Sequence, residues 1–250
     1  MRPFDAILFD LGGTLIYFDG QWPEIAKQAD AEMLRQLLAA GLNLDAQAFL
    51  SQFNAQLGVY YTERDTEFIE YTTHYILCTL LAEFGYPELP DSVLRPTLEA
   101  RYAVSRTHWH PEVDAQPTLE LLRNLGYRFG IISNAGDDTD VQTLVDKAQL
   151  RLYLDFVLTS AALGVRKPNP RIFLAALDHW GIPPVRAAMV GDTLGADILG
   201  AINAGIFSIW ITRRAEKTAN RSHEDTIHPD ATITALSELP GLLKSLTQFS

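Results

Sequence analysis

The amino-acid sequence predicts an α/β protein with a mostly parallel sheet and a helical domain inserted after the first strand. Three observations carry this prediction. A short apolar run at Ala6–Phe9 is typical of a buried strand. Helical patterns then dominate residues 18–111, and strand-like and helix-like segments alternate after residue 111, as in parallel sheets. We expect residues 1–17 and 112–250 to form the α/β core and residues 18–111 to form the helical domain.

The order of apolar patterns places the individual elements. In the helical domain, Ile25, Ala29, Met33 and Leu37 recur every four residues and predict an amphipathic helix. Further helical patterns cover residues 67–84 and 92–108 of the same domain. In the core, strands are predicted at 128–133, 155–159, 187–190 and 207–212, and helices at 117–125, 140–148, 170–181 and 193–204.

Composition and charge exclude several classes of protein. The 250 residues are 47% hydrophobic, which is enough for a packed core and excludes a disordered chain. Cys78 is the only cysteine, so an intramolecular disulfide and a cysteine-based zinc cluster are excluded. The formal net charge of −11, without a Lys/Arg run, argues against nucleic-acid binding. No apolar stretch reaches the ~20 residues of a membrane span. We therefore expect a cytoplasmic monomer or homodimer with no membrane partner.

Polar residues follow the strands of the predicted core. Asp10 follows the first strand, Ser133 and Asn134 end the next, and Asp192 follows the strand at 187–190. Lys167 lies in a proline-rich loop between them. Ligands of open parallel sheets bind beyond the carboxyl ends of the strands, so these residues are expected at one site. Carboxylates suit Mg²⁺, and lysine, serine and backbone N–H groups suit a phosphate group.

Four stretches resemble the motifs of the haloacid dehalogenase-like (HAD) hydrolase superfamily. They are FDLGGTL at residues 9–15, IISN at 131–134, KP at 167–168 and GDTLGAD at 191–197. They occur in the family's order and span most of the chain. The helical segment directly after the first motif resembles the family's C1-type cap, so the resemblance implies a Rossmann-like core with a mobile cap.

The resemblance also implies an activity: Mg²⁺-dependent hydrolysis of a small phosphorylated metabolite, a phosphate ester or acyl phosphate, through an aspartyl-phosphate. Asp10 is then the nucleophile, and Ser133 and Lys167 bind and neutralise the phosphoryl group. The implied metal ligands are Asp10, the backbone carbonyl of Gly12, Asp192 and Asp197. The expected phosphate-binding residues are Gly13, Thr14, Ser133, Asn134 and Lys167.

Gly12 departs from the family's pattern. Phosphatases of the family carry an aspartate there, which protonates the leaving group and then activates water. A general acid/base of this kind contributes roughly 10²–10⁴-fold to the rate. The sequence therefore predicts an enzyme that is slow with alkyl esters and faster with good leaving groups, such as acyl or aryl phosphates. Asp19 is the nearby carboxylate that could partly replace the missing group.

Three other functions remain open. The chain could be a catalytically silent protein that binds a phospho-ligand or a partner. It could be a metal-free haloacid dehalogenase, although the Asp192 and Asp197 pair favours a metal. Phosphonate cleavage needs a cap lysine for a Schiff base, and the only lysine of the helical domain is Lys27, expected to be solvated.

The helical domain is expected to close over the site and to select the leaving group. Aromatic, basic and histidine side chains are its candidates for substrate contact: Trp22, Tyr60, Tyr61, Arg64, His74 and Tyr102. Aromatic residues at helical spacing more often belong to a core. The sequence alone therefore does not show which of these six residues contact the substrate and which belong to the core.

Overall fold

A computed structural model describes residues 2–247, apart from the side chain of residue 65. Its strands are β1 (Ala6–Phe9), β2 (Ile16–Phe18), β3 (Trp109–Pro111), β4 (Arg128–Ser133), β5 (Phe156–Thr159), β6 (Ala187–Gly191), β7 (Phe207–Ile211) and β8 (Ala231–Ile233). Six of them form one parallel sheet in the order β5-β4-β1-β6-β7-β8, and β2 and β3 form a separate antiparallel pair. This arrangement confirms the predicted α/β class.

The helices fall into two groups. Four lie between β2 and β3: α1 (Trp22–Ala39), α2 (Ala46–Glu67), α3 (Thr73–Glu83) and α4 (Asp91–Arg106). We call this group, residues 22–106, the insert. The others follow β3: α5 (Ala115–Asn124), α6 (Asp138–Lys147), α7 (Ser160–Leu163), α8 (Pro170–Trp180), α9 (Leu199–Ala204), α10 (Thr218–Arg221) and α11 (Leu239–Thr247). Among the described residues, no helix is long and apolar enough to cross a bilayer.

Strand β1 explains why the first apolar run is continuous rather than alternating. Ile7 and Phe9 pack into the apolar cluster on one face of the sheet, and Ala6 and Leu8 pack into the cluster on the other. All four residues are fully buried. A strand covered on both faces needs apolar side chains at every position, as in α/β sheets generally. The strand ends at Phe9, directly before Asp10.

The insert has its own apolar core, and one of its helices was not predicted. Helix α2 contributes Phe49, Phe53 and Leu57, which repeat every four residues. Polar residues between them, and Gly58 directly after Leu57, hide this pattern in the sequence. The prediction of one helical stretch over 67–84 was wrong at its start, because Phe68 adopts φ 53° and ends α2, and the Thr72 hydroxyl caps α3.

Two strand pairings join the insert to the core, in addition to the ion pairs of Arg95 with Asp137 and of Arg106 with Asp140. The first is the β2–β3 ladder, in which Tyr17 pairs with His110. The second is an isolated antiparallel bridge between Ile69, in the α2–α3 connection, and Val165, in the loop after α7. The second contact brings the middle of the insert against the loop that carries Lys167.

Candidate active site

The sheet order brings the sequence-predicted carboxylates to one edge. Strand β1 lies between β4 and β6, so Asp10, Ser133 and Asp192 all follow neighbouring parallel strands. The Asp10 N–H continues the ladder by donating to the Val190 carbonyl over 2.9 Å. Asp197 reaches the same edge from a π-helical turn, Leu194–Ile198, where its carboxylate accepts from the Thr193 N–H at 2.9 Å. One oxygen from each of Asp10, Asp192 and Asp197 lies within 4.8 Å of the others.

Lys167 joins these carboxylates. Its Nζ donates to Asp10 Oδ1 and to Asp197 Oδ1, both at 2.6 Å, and to the Ile132 carbonyl at 2.8 Å. The side chain is 1% exposed. Burial alone would lower the pKa of Lys167, but the charges of Asp10 and Asp197 outweigh it and raise that pKa. The lysine is therefore an ammonium. We call Asp10, Lys167, Asp192 and Asp197 the catalytic cluster.

The donor set of the cluster fits a hard divalent cation. All three acidic residues are buried, and their oxygens converge without a nitrogen or sulfur donor among them. Mg²⁺ prefers such oxygen ligands. Burial, together with the negative charges of Asp10 and Asp197, raises the pKa of Asp192, although the nearby Lys217 opposes the shift. Crowded, desolvated carboxylates of this kind are stabilised when a cation binds between them.

The expected phosphate-binding residues do not all line the cavity above the cluster. Ser133 lines it, but Gly13 and Thr14 do not, and Thr14 is fully buried beneath it. Asn134 lines it, yet its side-chain amide is bound to the Lys167 backbone: Oδ1 accepts from the Lys167 N–H at 2.8 Å and Nδ2 donates to the Lys167 carbonyl at 2.9 Å. The Asn134 side chain therefore positions Lys167.

The cavity, of about 740 Å³, lies between the sheet edge and the insert. Five of the six insert residues named as candidates for substrate contact line it: Trp22, Tyr60, Tyr61, Arg64 and Tyr102. His74 does not. Lys27 is exposed on α1 and is also absent from the wall, so the structure offers no Schiff-base lysine from the described part of the insert.

A tryptophan fills the space beside Gly12. The φ of Gly12 is not positive, so its backbone accepts a side chain. A Cβ at this position, however, would lie 3.0 Å from Cη2 and 3.3 Å from Cζ3 of Trp109. The indole ring thus stands where an aspartate side chain would begin. Asp19, expected as a replacement acid, is exposed and lies outside the cavity wall, whereas His223 lines it.

A second buried ionic cluster connects the insert to the core, and it was not predicted from the sequence. Arg166 Nη1 donates to Tyr60 Oη at 2.8 Å and to Glu70 Oε2 at 3.0 Å. Ser160 Oγ also donates to Glu70 Oε2, at 2.6 Å, and the Tyr60 hydroxyl donates to Glu70 Oε1. We call these four residues the latch cluster. Its members lie as far apart in the chain as residues 60 and 166, so no local spacing could reveal it.

Comparisons with known proteins agree with this geometry. A family model described as haloacid dehalogenase-like hydrolase matches residues 4–205. A glyceraldehyde 3-phosphate phosphatase of Methanothermobacter thermautotrophicus is 31% identical over 242 residues, covering 95% of this chain and 99% of that protein. The crystal structure of an HAD phosphatase from Thermococcus onnurineus has a TM-score of 0.60 at 25% identity and covers 96% of this chain and 98% of that one.

A third likeness concerns the fold alone. A 2-haloacid dehalogenase from Pseudomonas syringae pv. Tomato superposes with a TM-score of 0.66 over 97% of this chain and 99% of that one, at 24% identity. The strand order, the four motifs at the sheet edge and the extent of the family match lead to one conclusion: this chain belongs to the haloacid dehalogenase-like hydrolases, as a phosphatase-type member.

Proposed function

We propose that the protein is a Mg²⁺-dependent hydrolase of small phosphate esters or acyl phosphates that works through an aspartyl-phosphate on Asp10. The observation that carries the proposal is the buried ion pair of Asp10 with Lys167 at the floor of the cavity, 2.6 Å long. The Lys167 ammonium donates to one oxygen of the Asp10 carboxylate, and the second oxygen can attack phosphorus. Phosphatases among the relatives support the same reaction class.

The residues of the proposed active site have distinct roles. Asp10 forms the bond to phosphorus as the bond to the leaving oxygen breaks, and Ser133 and Lys167 hold the transferring group. Asp10, Asp192, Asp197 and the Gly12 carbonyl would hold Mg²⁺, which supplies charge neutralisation between the carboxylate and the phosphate. Water then attacks phosphorus as the bond from phosphorus to the Asp10 oxygen breaks, which restores the Asp10 carboxylate and releases inorganic phosphate carrying the oxygen and protons of the water.

The insert acts in this proposal as a cap. Residues 18–111 form the cap domain, and residues 1–17 and 112–250 form the catalytic core. The β2–β3 ladder joins the two, and the aromatic wall of Trp22, Tyr61 and Tyr102 keeps water away from the acyl phosphate. The latch cluster holds the middle of the cap on the core.

Gly12 and Trp109 determine which leaving groups the enzyme accepts. With Trp109 against Gly12, no carboxylic acid stands beside the leaving oxygen at this position. Negative charge that develops there must be carried by the leaving group itself. The proposed substrates are therefore acyl and aryl phosphates, or alkyl phosphates hydrolysed slowly. Glyceraldehyde 3-phosphate, named for the archaeal relatives, belongs to the slow alkyl group.

The test is a leaving-group series. With Mg²⁺ present, kcat/KM should fall steeply from acetyl phosphate to p-nitrophenyl phosphate to glyceraldehyde 3-phosphate, in the order of rising leaving-group pKa, and without Mg²⁺ none of the three should be hydrolysed. The comparison uses kcat/KM because the three substrates share one aspartyl-phosphate, whose hydrolysis is the same for all. Fast hydrolysis of alkyl phosphates with a flat dependence would contradict the role of Gly12, and His223 would then be the first residue to replace. Beryllofluoride binding without turnover would favour a silent binding protein. Chloride release from 2-chloropropionate without Mg²⁺ would favour a dehalogenase.

A double substitution tests the packing explanation. Gly12→Asp alone should leave alkyl phosphate turnover unchanged, because Trp109 blocks the new side chain. Gly12→Asp together with Trp109→Ala should raise that turnover by about a hundredfold, the low end of what a general acid contributes. Trp109→Ala alone is the control for a wider cavity and should give no gain. An equal gain in alkyl phosphate turnover in the single Gly12→Asp variant would show that the Trp109 ring moves to accommodate the aspartate.

A further inference from the structure

Lys217 places a second ammonium in the catalytic cluster. It lies in the connection between β7 and β8, outside all four motifs, and its Nζ contacts Asp192 Oδ2 in an ion pair. The Asp192 side chain is 1% exposed, whereas that of Lys217 is 38% exposed. The lysine thus reaches from the solvent side of the site onto one of the carboxylates expected to hold Mg²⁺.

The segment that carries Lys217 is fixed against the loop that carries Asp192. Asn220, which is fully buried, makes three hydrogen bonds of 2.8 Å: it accepts from the Leu194 N–H and donates to the carbonyls of Asp192 and Ala215. This buried amide holds the backbone on both sides of Lys217 beside the cluster. The ion pair is therefore built into the fold, unlike the contact of a free surface lysine.

Gly13 leaves room for the contact. Its φ is +92°, a conformation that favours glycine, and a Cβ there would press on the Asp192 carboxylate and lie 3.1 Å from Lys217 Nζ. Any side chain at residue 13 would thus intrude between the two partners. Glycine at residue 13 of the first motif therefore allows Lys217 to contact Asp192.

We propose that Lys217 is a tethered cation that competes with Mg²⁺ for Asp192. In the absence of the metal it neutralises a buried carboxylate, and Mg²⁺ must displace it because two cations on one carboxylate repel each other. The displaced ammonium then returns to solvent, to which the Lys217 side chain is already 38% exposed. This inference rests on the proposed Mg²⁺ site and adds that the site is weakened by the protein's own lysine.

Calorimetric titration of the full-length protein with Mg²⁺ tests the competition. Lys217→Met should bind Mg²⁺ about tenfold more tightly than the wild type, because the competing charge is gone. Lys217→Arg keeps the charge and should bind as the wild type does. Lys244→Met, a lysine exposed on α11, removes the same charge far from the cluster and should also leave the affinity unchanged.

Thermal unfolding gives a second measurement, independent of turnover. Without Mg²⁺, Lys217→Met should unfold at a lower temperature than the wild type, since Asp192 has lost its partner. Saturating Mg²⁺ should then raise its unfolding temperature more than it raises that of the wild type. If Lys217→Met does not fold, Lys217→Gln replaces it in both measurements.

Equal or weaker Mg²⁺ binding by Lys217→Met or Lys217→Gln would overturn the inference, and so would a failure of either variant to bind Mg²⁺ at all. Failure of the proposed function looks different. In that case, hydrolysis by the wild type would not depend on Mg²⁺ or on Asp10, whatever the affinity of the Lys217 variants.

Discussion

The catalytic cluster and the latch cluster meet at two consecutive cations, Lys167 and Arg166, and their difference is instructive. Both cations are buried, with side chains 1% and 10% exposed, and both bind carboxylates at 3.0 Å or less. All partners of Lys167 come from the core, whereas Arg166 also binds Tyr60 and Glu70 of the insert. Burial is thus similar in the two clusters, and residues of both, including Glu70, line the cavity. What separates them is the origin of the partners: Lys167 binds carboxylates of the core alone, whereas Arg166 joins the core to the insert.

Asp10→Asn should have the largest effect and should act on turnover. An amide is a poor nucleophile, so hydrolysis of p-nitrophenyl phosphate should fall by at least about a thousandfold. Lys167 keeps Asp197 as a partner, so the free energy of unfolding should change much less.

Glu70→Gln is the matched control for that variant, because it makes the same carboxylate-to-amide change in the latch cluster. Its turnover should stay within about tenfold of the wild type. A thousandfold loss in Glu70→Gln as well would show that the two clusters act as one unit, and the distinction between them would fail.

The same Glu70→Gln variant should have the larger effect on stability. It leaves the Arg166 guanidinium buried without a counter-charge, and removing one partner of a buried pair costs about 3 kcal/mol. Urea unfolding monitored by tryptophan fluorescence measures this loss. Glu32→Gln breaks the exposed pair with Arg35 and should leave the unfolding midpoint unchanged. Similar midpoints for both variants would mean that the latch cluster does not stabilise the protein.

Two members of the catalytic cluster, Asp10 and Asp192, were predictable as neighbours because each directly follows a strand. A parallel sheet aligns the carboxyl ends of β1, β4 and β6, so Asp10, Ser133 and Asp192 had to meet once the strands were recognised. The parallel sheet and most core elements followed from the same apolar runs. The catalytic role of Asp10, Ser133 and Asp192 stays a prediction.

The remaining parts depend on contacts between distant segments. Helix α2 escaped prediction because its apolar face is defined by the insert's own packing. Trp109 lies beside Gly12 although about a hundred residues separate them in the chain. Lys217 contacts Asp192 from a loop that lies outside the fourth motif. Glycine at residue 12 indicates a missing acid in the sequence, but only the structure shows what occupies its place.

Tyr60→Phe should have the smallest effect on stability, because it removes a single hydroxyl group from the latch cluster. The variant removes the hydroxyl that accepts from Arg166 and donates to Glu70, which should cost about 1.5 kcal/mol of unfolding free energy at neutral pH. Tyr61→Phe makes the same change at the next residue, whose side chain is exposed, and should cost nothing measurable.

The cost of Tyr60→Phe should depend on pH in a defined direction. Burial, with the charge of Glu70 adding to it, raises the pKa of Tyr60 well above the usual 10. Below pH ~10 the hydroxyl is protonated in both the folded and the unfolded chain, so the difference between variant and wild type is constant. Above pH ~10 the unfolded wild type releases this proton while the folded form keeps it, which lowers wild-type stability by about 1.4 kcal/mol per pH unit. The variant lacks this loss, so the two unfolding free energies should converge near pH ~11. A difference that stays constant or grows above pH ~10 would mean that the Tyr60 hydroxyl ionises as readily in the folded protein as in the unfolded chain.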